Sequence, residues 1–191
     1  EAGLVGIPDL TLKVSGAVQV NQGPVGLDRL NWTQVTGTGN ELESVDLNMT
    51  AALELAVTGT MTLDAFGFVV ATGTLTLEKS TATIDDGNVA IGSFDANVMV
   101  LTLENVNLFA GVGGSLNANG AGLADDTVNK DNGIGFYVEG VSLKLVTVQN
   151  TADLTKKYTG LELSLSEAGL VGIPDLTLKV SGAVQVNQGP V

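Results

Sequence analysis

The sequence predicts an all-β protein: an elongated tandem-repeat tube or barrel-like sheet of long coiled strands. Three observations carry that prediction. Apolar residues alternate with polar ones over runs longer than an ordinary strand, the period-two pattern of a sheet with one dry face and one wet face. Helical spacing is absent over any useful length, and no segment opens with a capped helix start. Finally, Glu1 to Val25 (EAGLVGIPDLTLKVSGAVQVNQGPV) returns letter for letter as Glu167 to Val191, an offset of 166 residues. Residues 1–166 are therefore expected to be one full repeat unit and 167–191 the start of the next, as in a window cut from a tandem array.

The first strand is expected at Leu10 to Val20, where Leu10, Leu12, Val14, Gly16, Val18 and Val20 alternate with Thr11, Lys13, Ser15, Ala17 and Gln19. Gly16 lies on the apolar side, where a missing side chain lets the strand coil or another backbone approach. Asn21 to Pro24 marks a turn. Trp32, the only tryptophan, is expected as a core plug in the less regular segment from Gly26 to Asn40. Every odd position from Val45 to Leu63 is then apolar or glycine. One strand of that length would span about 60 Å at roughly 3.3 Å per residue, so either a hairpin turn lies near Thr50 to Ala52 with its phase preserved, or the strand is long and winds around something.

Beyond Asp64-Ala65 the apolar set moves from Phe66, Phe68 and Val70 to Leu75 and Leu77, a phase change that reads as a bulge. Asp85-Asp86-Gly87-Asn88 reads as a hairpin turn, and a second phase change falls at Glu104-Asn105. Gly111, Gly113 and Gly114 point to close packing, and a polar loop runs from Asn117 to Gly133. Strands resume at 136–148, 161–165 and 176–186. The spacing of Leu-x-Leu pairs, in multiples of about 21 residues, leaves a β-solenoid as an alternative. Immunoglobulin-like sandwich domains are another, although no Pro- or Ser-rich linker divides the unit.

Composition removes most chemistry. With no histidine and no cysteine, Ser-His-Asp and Cys-His catalysis, most transition-metal sites and haem ligation are excluded. The chain is read as no enzyme, with no catalytic, cofactor-binding or metal-binding residue assigned. Calcium is the one cofactor with candidate ligands, at Asp85, Asp86, Asp125, Asp126 and Asp131. None of these follows a calcium-loop spacing, and Asp is favoured in turns for local backbone reasons. The net charge of −13, with eight scattered basic residues, argues against nucleic acid as a partner. The apolar residues alternate rather than forming a solid run, so no transmembrane helix is expected. The threonine ladders at 58/60/62 and 72/74/76 read as the solvated side of strands.

Thr74-Leu-Thr-Leu-Glu-Lys-Ser80, Asn107-Leu-Phe-Ala-Gly-Val-Gly-Gly114 and Gly169-Leu-Val-Gly-Ile-Pro-Asp-Leu-Thr-Leu178 resemble segments of the long tandem repeats of giant bacterial surface proteins. The resemblance covers most of the unit, in the same order, and carries no catalytic residue across. It implies a stalk, fibre or adhesin-like role outside the cell or at its surface. The expected partners are neighbouring identical repeats in the same chain, with self-association as an extension. The alternative function is an adhesin module that binds glycan or protein through the 117–133 loop.

Overall fold

The alternating runs become strands, and each long strand pairs with its neighbour in the chain. The computed structural model describes residues 2–4, 9–24, 27–35, 47–120 and 122–190. The strands are β1 (Ala2–Leu4), β2 (Leu10–Val20), β3 (Leu53–Ala65), β4 (Val69–Ile84), β5 (Phe94–Val112), β6 (Ser115–Asn117), β7 (Thr127–Asn129), β8 (Ile134–Asn150), β9 (Lys157–Val171) and β10 (Lys179–Gln188). Eight of them form one sheet, in the order β1-β2-β3-β4-β5-β8-β9-β10. Every pairing is antiparallel. The fold is all-β, as the alternation requires. Hairpin β6–β7 stands apart and packs on β4 and β5.

Several expectations from the pattern resolve at named residues. Leu53 N–H donates to Thr50 C=O at 3.2 Å and β3 begins there, so a turn interrupts the odd-position run and no 60 Å strand forms; residues 47–50 before it are not strand, so the turn is not that of a hairpin. Val45, at the head of that run, lies outside the described residues. The irregularity expected between Val70 and Leu75 is there, as a shift of register against β5 between Thr72 and Thr74; ahead of it, β3 and β4 are joined by a turn at Phe66. Phe66 (φ 59°) and Gly67 (φ 62°) are both left-handed, and Phe68 N–H donates to Ala65 C=O at 2.9 Å. Such a two-residue turn matches the natural twist of the strands it joins.

The bulge expected at Glu104-Asn105 is present. Register shifts there against both β4 and β8, and Asn105 has φ 51°. Gly73 faces it, and a Cβ at that position would stand 2.8 Å from the Val106 side chain. Trp32 is half-buried, and the pin at that end of the sheet is Asn21, 1% exposed. Its amide donates to the carbonyls of Leu30 (2.9 Å) and Thr50 (3.0 Å), and its carbonyl accepts from Trp32 Nε1 (3.0 Å).

Register aligns the apolar positions into rows across the sheet. One row reads Val18, Val57, Leu77, Leu101, Leu145, Leu161, Val186. The next reads Gly16, Gly59, Leu75, Leu103, Leu143, Leu163, Val184. These rows make an aliphatic face. The other face carries the threonine ladders, set directly opposite one another as Thr58–Thr76, Thr60–Thr74 and Thr62–Thr72. At one end of this polar face lies a small core holding Val70, Phe109 and Tyr137, all buried. The segment from Gly113 to Gly133 folds over it as a flap, with Gly114 and Gly133 against the Phe109 ring.

The barrel-like closure expected from the sequence does not occur in this sheet: β1 and β10 lie at opposite edges. Register supplies the reason. A walk that enters on Val18 leaves on Val186, the copy of Val20, so six strand steps drift by two residues. That drift, about 7 Å over six steps of about 4.8 Å, inclines the strands by only about 13°, against the 35–45° typical of barrels.

Candidate functional site at the repeat junction

The duplicated segment is where the sequence makes its sharpest structural claim, and its two copies share the pairings described in both. In the first, Ala2 pairs with Val14 and Gly3 with Lys13; in the second, Ala168 pairs with Val180 and Gly169 with Lys179. These are the same pairs, moved by the 166-residue offset. Asp9 and its copy Asp175 even share a left-handed backbone, with φ 59° and 60°. The copies do not pair with each other. They occupy the two edges of the sheet.

The inner side of β2 shows what such a strand pairs with. Its partner β3 runs in unbroken register from Leu10–Ala65 to Val20–Leu55. Midway, Gly16 faces Gly59, and the backbones approach so closely that a Cβ on Gly16 would stand 2.2 Å from Thr58 O and 2.8 Å from Gly59 Cα. Here glycine is required by contact. Gly182, its copy on β10, has no heavy atom within 4 Å of that position.

A polar cluster ties β8 and the flap to the second copy of the duplicated segment. Glu167, in the duplicated segment, accepts hydrogen bonds from the Tyr137 hydroxyl on β8 and from Lys179 Nζ at 3.0 Å. Lys130, from the flap, pairs with Glu139 and sits 4.7 Å from the Tyr137 ring centre. The Tyr137 hydroxyl, then the Lys179 ammonium, hold the Glu167 carboxyl below its ordinary value of 4.5. The same carboxylate pushes Tyr137 above 10.0 and Lys179 above 10.5.

A depressed carboxyl means that the unfolded chain binds more protons in acid. Its contribution to stability is therefore complete above about pH 4.5 and lost as pH falls through the folded value. Raised groups act oppositely: theirs is complete below the ordinary value and lost as pH rises through the folded one. The melting temperature should therefore hold a plateau between about pH 5 and pH 9 and fall on both sides. Glu167→Gln should blunt the acid limb, while an unchanged limb in that variant would show the cluster to be idle.

At the opposite end of the sheet, Glu54 bridges Lys79 (2.5 Å) and Arg29 (2.7 Å), fastening the segment 27–35 to β3 and β4. The calcium candidates are not brought together. Asp85 and Asp86 accept from Gly87 N–H and Asn88 N–H, both at 2.9 Å, within the loop joining β4 to β5. Asp126 accepts from Asn119 N–H at 3.2 Å in the flap, and Asp131 follows β7. Among the described residues no three acidic side chains converge as a metal site would need.

Tyr137 and Phe109 escaped the sequence reading. The one signal for Phe109 was the set of glycines at 111, 113 and 114, since an aromatic ring beside several small residues marks an enclosed ring. Among the described residues no helix is long and apolar enough to cross a membrane. Set against family models, curated proteins and solved structures, the chain matches none.

Proposed function

We propose that this chain is one unit of a long continuous β-fibre, the stalk or spacer of a giant bacterial cell-surface or extracellular protein. Its work is mechanical: reach and stiffness. The observation that carries the reading is the shared register of the two duplicated segments at opposite edges of one sheet. A sheet whose last strands repeat its first can be extended indefinitely by the same pairings, with β10 standing to the next repeat as β2 stands to β3. Such an array gains stability chiefly from contacts between nearest neighbours. The resemblance to long repeats of giant surface proteins points the same way. An adhesin role for the 117–133 loop has less behind it, because that segment's hairpin packs on β4 and β5 and its glycine encloses Phe109.

Six strand steps of about 4.8 Å advance the sheet by roughly 29 Å per repeat. Electron microscopy of a chain with three or more repeats should show an unbeaded filament that lengthens by about that amount with each added repeat. A string of separate globules would overturn the proposal.

A further inference from the structure

The aliphatic face has no covering layer among the described residues. Its side chains stay partly exposed, with Val18 at 66%, Met61 at 38% and Val184 at 52%. In the block between the rows through Leu10 and Val18, no strand position on this face carries Asp, Glu, Lys or Arg. The segment 36–46, outside the described residues, offers only Leu42 and Val45 as large apolar side chains, too little to cover such a face.

Magnitudes agree. The chain exposes 12256 Å², whereas a globular monomer of its mass exposes about 8,500 Å². Seven strands about 4.8 Å apart and about ten residues long give a face of roughly 1,100 Å². A stable interface needs about 800 Å² from each partner.

We propose that two copies of this chain pack their aliphatic faces together, forming a two-layer sandwich with a dry core about 10 Å thick. Charge chooses the face. Glu78, Glu104, Lys144, Glu162 and Glu167 sit on the opposite side by register, so the acidic surfaces of a chain with net charge −13 turn outward to water. Shape assists as well. Over the Gly16–Gly59 pair lies a depression of about 440 Å³, lined by Val14, Val18, Val57, Met61 and Leu75, which receives side chains of the partner sheet. This contact uses a face and the fibre joint uses an edge, so the two are independent. Together they make a fibre two sheets thick.

Sedimentation of the 191-residue chain tests this. The wild type should sediment at twice the 19.4 kDa chain mass at micromolar concentration. Leu103→Lys with Leu143→Lys, neighbours in one row, should give a monomer with the same far-ultraviolet β signal. Oxidation of Met61 by peroxide needs no mutation, and it should be slower in concentrated wild type than in dilute. That second measurement decides the matter if the double variant does not fold. The proposal is overturned by a wild type that stays monomeric. It is overturned equally by a dimer in which Met61 reacts as fast as in the monomer, since pairing is then through the edges. A monomer that floats with phosphatidylcholine vesicles would assign the face to lipid and end the proposal.

Discussion

Phe109→Ala should lower the unfolding free energy by about 3–5 kcal/mol, the largest stability loss expected of any single side chain here. The ring is fully buried. It is enclosed by glycines as much as by apolar side chains: a Cβ on Gly111, Gly114 or Gly133 would stand 2.9, 2.2 or 2.7 Å from it. Backbone packed that closely cannot swing a side chain into the space an alanine leaves, so the cavity persists and its full cost is felt. Urea unfolding measures the loss, and hydrogen exchange locates it. Amides of residues 113–133 should lose protection first, while β2 and β3 keep theirs. A loss below about 1 kcal/mol would show that the flap is held elsewhere. The same experiment bears on an adhesin role, because a segment needed to close a core cannot be removed without loosening the sheet beneath it.

Gly16→Val and Gly182→Val should differ sharply although they are the same substitution in the same 25-residue sequence. At Gly16 the new side chain meets Thr58 O and Gly59 Cα. The β2–β3 backbones must separate, at a cost of about 1–3 kcal/mol or more, with hydrogen-exchange protection of β2 lost. At Gly182 nothing stands within 4 Å, so the effect in the 191-residue chain should lie within about 0.5 kcal/mol. In a chain of two full repeats, the Gly182 position should become as intolerant as Gly16, because the following copy of Gly59 then lies against it. Tolerance that persists in the longer chain would mean that the sheet does not continue from one repeat to the next.

How far the sequence could be read follows from the physics of a sheet. Alternation is local, so the strands and the bulge at Asn105 were visible from neighbouring residues alone. The turn at Thr50 to Ala52 keeps the phase of the alternation, which therefore left it open against one long strand. The turn at Phe66-Gly67 was not visible at all. Phenylalanine rarely takes a left-handed backbone, so nothing local marked it as a turn residue. Tyr137 and Glu167 are 30 residues apart, and only the β8–β9 and β9–β10 registers bring them and Lys179 together.

By itself the sequence determined the class of fold, the position of the duplicated segment, the glycine at Gly16 and the absence of the residues that common catalytic chemistry requires. Each depends on the identity of a residue or on a short-range period. Tertiary structure alone decided that the sheet stays open, that no described residue covers its aliphatic face, and that the two copies of one segment sit at opposite edges. Those depend on register, which accumulates strand by strand. A drift of two residues over six steps is invisible in any one pairing, yet it keeps the first and last strands from meeting.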